Sequence, residues 1–444
     1  MKSLNKTEPI ILVIGDIVFL VASLWVTLLI RHFSIPNMDL WISHIAPFTI
    51  LFLFWIFTFY VAGLYEKHTL ILKNSLFGIL LNTQVINAFL AVLFFYFIPY
   101  FAITPKTNLF IYLIVSFGFI LFWRLIVFKK FLTPKNKQNA VIIGSGEEMK
   151  ELRHEINNND RYDFNFIQSI DLENYETDSF KEDVVNLVYE KDVSLIIADI
   201  KNPNVETILP QLYNLIFAKV QFVDKYKVYE SIFDRVPVSM MSYNWFLENI
   251  SSKNHISYDI LKRLMDILIS LPLGIFALVI YPFIALAIKL DDGGDIFFYD
   301  ERMGKDNQKF KIAKFRSLHI AEGGEGSITR VGKFLRKTRL DEFPQILSVL
   351  KGELSLIGPR PERPSLVDVY REQVPFYNVR HLIKPGLSGW AQMKHDAHPH
   401  HGADSEATKD KLSFDLYYIK NRSFMLDLKI ALQTVTVLLS QKGK

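Results

Sequence analysis

Asp341 and Glu342 are adjacent carboxylates set among cations: Arg336, Lys337 and Arg339 come just before them, and Arg360 follows between Pro359 and Pro361. Two acids so surrounded suit chemistry on phosphate, because a carboxylate can attack phosphorus once positive charge neutralises the anions. The same residues allow a plain structural role, with Asp341 capping a helix and Glu342 in its first turn. Phe343, Ile346, Leu347 and Leu350 fall at i, i+3, i+4 and i+7, the spacing of one apolar helix face. Pro344 suits a first turn and Gly352 a helix end. The acidic pair is therefore expected near a helix N-terminus, where backbone N–H groups favour negative charge.

The elements that must position this pair belong to a chain of 444 residues, 50% hydrophobic and 14% aromatic, with a mean hydropathy of +0.19. That length allows two or three domains, and the composition is greasier than that of a soluble protein. A membrane protein is expected. The net charge of +4 is small, but Lys and Arg gather beside the apolar segments, as they do next to anionic lipid, and no nucleic-acid partner is implied. The sequence has no cysteine, which rules out disulfides and thiolate chemistry and fits a cytoplasm-facing protein. The N-terminal apolar stretch lacks a small-residue cleavage site and reads as a retained span.

Four apolar segments, Ile10 to Ile30, His44 to Tyr65, Leu76 to Phe101 and Leu109 to Phe128, come close to the ~20 residues that cross a bilayer. They define a four-helix transmembrane region over 1–133. Lys2 and Lys6 precede the first, Lys67 and Lys73 lie between the second and third, and Lys129, Lys130, Lys135 and Lys137 follow the fourth. The other two loops carry only Arg31 and Lys106, so the positive-inside rule puts the N-terminus and everything after Lys129 in the cytoplasm. Asp16 is too costly to face lipid and is expected to make a helix–helix hydrogen bond rather than a transport path. Arg124 is expected to reach the cytoplasmic headgroups.

Residues 134–250 read as a small Rossmann-like α/β domain. Ala140 to Ile143 forms a buried strand running into Gly144-Ser145-Gly146, and Val193 to Ile200 and Val220 to Val223 alternate with helical stretches at Lys181 to Val188 and Val205 to Phe217. Met149 stands where a dinucleotide fingerprint needs its third glycine, so a spacer or regulatory scaffold is favoured over cofactor binding.

A fifth apolar stretch, Leu264 to Ile288, is long enough to span. Crossing would carry Asp341 and Glu342 to the outer face, away from cytoplasmic nucleotides. Pro272, Gly274 and Pro282 interrupt it, so a re-entrant helix that dips into one leaflet and returns is expected, with Lys262 and Arg263 anchoring one end at the headgroups and Lys289 the other. A simple fifth span stays open on length alone.

Lys262-Arg263-Leu264-Met265-Asp266, Glu301-Arg302-Met303-Gly304-Lys305 and Phe310 to Ser317 resemble the successive motifs of the bacterial sugar transferase family, the monotopic phosphoglycosyl transferases. The resemblance continues through Leu340-Asp341-Glu342, Ile357 to Pro361, Lys384 to Gln392 and Phe414 to Tyr418. So many motifs in order, over about residues 255 to 440, make it far more specific than a lone glycine pattern. The four spans and the α/β insert resemble, by architecture, the long subgroup of polyprenyl-phosphate hexose-1-phosphate transferases.

The resemblance implies a mainly α-helical catalytic domain over 251–444 that transfers a sugar 1-phosphate from a nucleotide diphosphate sugar to polyprenyl phosphate through a phosphosugar-aspartate intermediate. Asp341 is matched as nucleophile and Glu342 as its partner, Lys314, Arg336 and Arg360 as phosphate binders, and Asp415 as a holder of metal or nucleotide. Mg²⁺ is the implied cofactor, with Asp341 and Asp415 as its expected ligands. Gly386 and Gly389 are expected to permit tight turns, and Trp390 to pack in the core or at the membrane interface.

Two departures stand out. Leu278 and Val279 occupy the positions where the family usually breaks its re-entrant helix with Ser-Pro, so the bend is expected nearer Pro282. His395-Asp396-Ala397-His398-Pro399-His400-His401 replaces an Asn-Gly loop, and is expected to face substrate rather than hold a transition metal. The expected protein lies in the bacterial cytoplasmic membrane and initiates glycan assembly. Its partners are the nucleotide sugar, polyprenyl phosphate, membrane lipid and, at most, a second copy in a homodimer. A non-catalytic membrane scaffold or nucleotide-sensing regulator, and a transporter, are the alternatives.

Overall fold

The computed structural model describes residues 7–65, 70–98, 106–128, 137–144, 146–159, 162–171, 186–199, 203–206, 210, 213, 215, 217, 219–250, 256–319, 327–394 and 404–439. They fall into two compact units, Met1–Phe233 and Asp234–Lys444.

The first unit begins with helices α1 (Thr7–His32), α2 (Met38–Val61), α3 (Leu70–Phe97) and α4 (Lys106–Phe122), the last continuing as a π-helical turn over Trp123–Phe128. Each carries a stretch long and apolar enough to cross a membrane. Their contacts are aromatic and aliphatic: Trp55 and Tyr112 stack at 4.9 Å among Leu24, Phe48, Leu51 and Phe59. Asp16 is fully buried there, as its cost in lipid demands. It accepts from the Tyr65 hydroxyl at 2.8 Å and pairs with Arg124 at 2.5 Å. Arg124 also donates to the Leu64 carbonyl at 2.8 Å. The expected reach of Arg124 to the headgroups is therefore corrected: a carboxylate inside an apolar bundle needs a neutralising partner more than the arginine needs water.

A sheet follows, of β1 (Gln138–Ile143), β2 (Phe164–Ile170), β3 (Val193–Ala198) and β4 (Gln221–Asp224), with α5 (Glu147–Asn157) after β1 and α6 (Lys225–Phe233) after β4. All pairings are parallel, in the order β2-β1-β3-β4. Met149 is buried, so the residue at the missing third glycine is core. The helical stretches expected at 181–188 and 205–217 lie largely outside the described residues.

In the second unit, α7 (Tyr243–Asn249) precedes the long helix α8 (Ile256–Asp292) and the antiparallel hairpin β5 (Phe297–Met303) and β6 (Lys309–Phe315). Next come α9 (Arg330–Thr338), a 3₁₀ turn over Leu340–Gln345, α10 (Ile346–Lys351), β7 (Ser355–Ile357) and α11 (Pro364–Gln373). The unit ends with β8 (Gly386–Ser388), α12 (Trp390–Lys394), α13 (Ser405–Asn421) and α14 (Phe424–Leu439). Residues after Asp234, assigned from sequence to the α/β domain, pack here instead: Val236 N–H donates to the Ser413 carbonyl at 3.1 Å, and the buried Trp390 indole donates to the Asp234 carbonyl at 2.8 Å.

Helix α8 stays helical through Pro272 and Pro282. Each proline withholds one N–H from the carbonyl four residues earlier, and the remaining ladder carries the helix across. Lys262 meets Asp427 at 2.9 Å, and Arg263 donates at 2.7 Å to the carbonyls of Val349 and Leu350 in the last turn of α10. Both charged heads, expected at the lipid surface, are thus engaged inside the protein. Asp266 accepts from Ser355 Oγ at 3.1 Å and Leu356 N–H at 3.0 Å. At the far end, Asp291 accepts from Val331 N–H at 3.0 Å and Asp292 from Arg316 at 2.7 Å. The opposite face is bare and apolar, with Leu271, Ile275, Leu278, Val279, Phe283 and Leu286 each more than half exposed.

β7 and β8 pair in parallel. A Cβ on Gly386 would lie 2.1 Å from Gly358 N, and one on Gly389 2.3 Å from Gly358 O. These glycines serve close backbone approach, not the tight turns expected of them.

Candidate active site

The acidic pair is aimed by a break in the backbone. Helix α9 ends at Arg339, which takes the left-handed conformation at φ 58°. A side chain in that region costs about 1 kcal/mol or more, and here it turns the chain so that the 3₁₀ turn lies against β6. Asp341 and Glu342 occupy that turn, and the α-helix proper starts at Ile346. Pro344, which has no N–H to give, sits inside the 3₁₀ stretch. The expected helix exists, ended by Gly352 at φ 86° as its spacing implied, but its first turn is wound more tightly.

The neighbouring carboxylates have different partners. Glu342 accepts from Lys314 Nζ at 3.0 Å, delivered by β6, and from Arg360 at 3.4 Å. Burial alone would raise its pKa, but Arg360, Lys314 and Arg339 outweigh burial and hold it down to about 2. Asp341 is 9% exposed, and its Oδ1 is buried with no hydrogen-bond partner among the described residues. Burial, then the charge of Glu342, raise its pKa against Lys314, Arg339 and Arg336. One acid is a fixed anion holding cations in place; the other keeps a lone pair free.

Arg336 comes from α9 and is oriented by a 2.9 Å bond to Ser317 Oγ. Arg360 sits in a segment whose backbone is fully tied down. The carbonyl of Pro359 accepts from Gly386 N–H at 2.9 Å, that of Arg360 from Arg380 at 2.9 Å, that of Pro361 from Arg302 at 3.0 Å and that of Glu362 from Met303 N–H at 2.9 Å. Two prolines stiffen the segment and every carbonyl is satisfied, so Arg360 is held where it meets Glu342.

Asp415, on α13, pairs with Arg380 at 2.9 Å. Burial and Glu362 raise its pKa to about 6 against the pull of Arg380. Its carboxylate is committed to that arginine. Among the described residues no group of three or more acidic, His or Cys side chains could hold a metal; the unpartnered Asp341 Oδ1 is of a chemical type that suits a hard cation. Asp415, Arg380 and Arg360 line a pocket together with Glu362, Gln392 and Lys411. Lys314, Arg336, Asp341, Glu342 and Arg360 are thus brought together as expected, while Asp415 stands with Arg380 one arginine away. The histidine loop 395–401 lies outside the described residues.

The model of the bacterial sugar transferase family matches residues 257–441, and that of a CoA-binding domain matches residues 56–213. The exopolysaccharide production protein PSS of Rhizobium leguminosarum bv. phaseoli is 37% identical over 190 residues, 40% of this chain and 94% of that protein. The chain belongs to the bacterial sugar transferase family. This sugar transferase is also 42% identical over 199 residues to the UDP-N-acetylgalactosamine-undecaprenyl-phosphate N-acetylgalactosaminephosphotransferase of Aeromonas hydrophila, covering 42% of the chain and 45% of the relative. It is 36% identical over 185 residues to the UDP-glucose:undecaprenyl-phosphate glucose-1-phosphate transferase of Escherichia coli (strain K12), covering 40% of the chain and 39% of the relative. The match thus spans less than half the length of these two relatives.

Four polar residues of the transferase site carried no assigned role from sequence: Arg380, Glu362, Gln392 and Lys411. Arg380 stands just before the Lys384-Pro385-Gly386 motif, and Glu362 directly after Pro361. Gln392 closes the Lys384 to Gln392 motif, and Lys411 lies just before the Phe414 to Tyr418 motif.

Proposed function

We propose that this sugar transferase moves a sugar 1-phosphate from a UDP-sugar to a polyprenyl phosphate, releasing UMP and starting a lipid-linked glycan. The observation that carries the reading is the division of labour at the acidic pair: Asp341 has a buried, unpartnered oxygen, while Glu342 is already neutralised by Lys314 and Arg360. An Asp341 oxygen attacks the β-phosphorus, and the bond to the bridging oxygen breaks, UMP leaving with its electron pair. An oxygen of polyprenyl phosphate then attacks the same phosphorus and displaces the Asp341 carboxylate. Lys314, Arg336 and Arg360 bind and orient the diphosphate, and the uridine and undecaprenyl groups in the relatives' names support the choice of substrates. Mg²⁺ would be held by Asp341 and would neutralise phosphate charge.

Helix α8 is proposed as the membrane-embedded element of the catalytic unit, with both ends on the cytoplasmic side. Supporting this, its apolar stretch is flanked and crossed by contacts with the same unit: Asp266 meets Ser355, Phe276 lies 6.2 Å from Phe343 beside the acidic pair, and Asp292 meets Arg316. The bare outer face suits lipid, and brings Asp341 close to where a polyprenyl phosphate head would lie.

Membranes containing the protein, given polyprenyl phosphate and a panel of nucleotide sugars, are expected to release nucleoside monophosphate with at least one of them. Release is expected to stop with a chelator and return with Mg²⁺. No release with any donor would overturn the reading.

A further inference from the structure

The pocket beside the acidic pair contains more polar groups than the protein itself uses. Of its charged residues, Arg380 and Asp415 satisfy one another, and Arg360 reaches out to Glu342. Glu362, Gln392 and Lys411 form no side-chain hydrogen bond or ion pair among the described residues, and Gln392 Oε1 is fully shielded from solvent. They come from three elements, each fixed independently. Glu362 is held by its carbonyl to Met303 N–H at 2.9 Å. Gln392 follows Trp390, which is anchored to the Asp234 carbonyl at 2.8 Å. Lys411 lies one turn before Asp415 on α13.

Three unpartnered groups fixed on separate elements point to a ligand, and their types limit what it is. A bare phosphate would face the Glu362 carboxylate and the Gln392 carbonyl oxygen, both acceptors that repel it. A flat base would want an aromatic face to stack on, and the pocket lining has none, Ala391 being its one apolar residue. A ring bearing hydroxyls suits it, because each hydroxyl both donates to an acceptor such as Glu362 or Gln392 and accepts from Lys411.

We propose that a hydroxylated ring of the nucleotide sugar docks at the mouth of this pocket, with hydroxyls reaching in to Glu362, Gln392 and Lys411 while the attached diphosphate lies at Arg360 and Asp341. The proposal rests on the transferase reading given above. The ring is either the transferred hexose or the ribose, which share this chemistry. Burial, with Arg380 and Arg360 nearby, lowers the pKa of Lys411 against Glu362 and Asp415.

The test uses the full chain in lipid nanodiscs and three variants, Glu362→Gln, Gln392→Leu and Lys411→Met, each checked by thermal unfolding. UMP release is measured with a UDP-hexose, its single-deoxyhexose analogues and its 2′- and 3′-deoxyribose analogues. Wild type is expected to lose kcat/KM by about 10-fold or more when the contacted hydroxyl is removed. The variant that lost that contact should fall by a similar factor on the parent donor and lose nothing further on the matched analogue. A match on a hexose hydroxyl makes the ring the hexose, and a match on the ribose makes it the ribose. If every folded variant and every deoxy change act independently, or the variants equal wild type, the proposal is overturned. Wild type that releases no UMP from any donor would instead sink the transferase reading itself.

Discussion

Asp341 and Glu342 share a backbone turn, yet burial and charge drive their acidities apart. Glu342, with a pKa near 2 rather than 4.5, stays ionised through any working pH; its contribution to stability is present above 4.5 and is lost as pH falls toward 2. Asp341 is shifted the other way, by burial and by the charge of Glu342. If it is the nucleophile, as proposed, it must be ionised, and the acidic limb of kcat/KM should then lie above the ordinary carboxylate value of 3.8. Glu342→Gln removes the like charge and should move that limb to lower pH, while Lys314→Met removes a cation and should move it higher. Turnover should fall about 100-fold in Glu342→Gln and about 1000-fold or more in Asp341→Asn, with nucleotide-sugar binding retained. Near-normal turnover by Asp341→Asn, or trapping of labelled phosphosugar on another residue, would refute the assignment. The cations that flank the pair in sequence, Arg336, Lys337 and Arg339 before it and Arg360 after, make this site legible from the order of residues alone. The pairing of Asp415 with Arg380 is not legible there, because it joins residues from separate elements and no local spacing encodes it. Arg124 misleads for a related reason: a cation at the end of an apolar span reads as reaching for water, and its partner Asp16 lies on another helix.

At the scale of elements, α8 decides where the chemistry happens. Its length and hydropathy satisfy a full span, and its prolines are what the sequence offers as a reason for it to turn back. The helix runs through both prolines, and the proposed return to one side rests instead on Asp266 and Asp292, which are each tied by hydrogen bonds to the same unit. A helix crossing the hydrocarbon would part those two carboxylates by roughly 30 Å of lipid, leaving one set of partners on the wrong side. With the protein's own sequence free of cysteine, single cysteines report topology cleanly. A membrane-impermeant thiol reagent added outside is expected to label Pro36→Cys, in the loop after α1, and to leave Asp306→Cys, in the turn between β5 and β6, untouched until the membrane is opened. Labelling of Asp306→Cys from outside would mean that α8 crosses and that the proposed cytoplasmic site is wrong.

For the whole molecule, the question is how much of the chain the catalytic unit needs. Alternating strands and helices mark the α/β domain in the sequence, and its parallel sheet is present, but its end lies earlier than the sequence suggests. Composition does not change at Asp234; the change lies in what the residues touch. Arg235 pairs with Asp410, Tyr417 donates to Asp234 at 3.0 Å, and Lys420 lies 4.9 Å over the Trp245 ring, so residues 234–250 brace α12 and α13, the helices that carry Gln392, Lys411 and Asp415. Two truncations should therefore differ although they are close in length. A chain starting at Asp234 keeps the brace and is expected to remain folded in membranes, releasing UMP at a rate within about threefold of the full protein, since the acidic pair and its cations are untouched. A chain starting at residue 251 bares Trp390 and strips α13 of Arg235. It should unfold at lower temperature by several degrees, for a loss on the order of 2 kcal/mol, and its KM for the nucleotide sugar should rise more than its kcat falls. Equal stability and equal KM in the two truncations would show that the brace is idle and that the catalytic unit begins at residue 251, where the sequence places it.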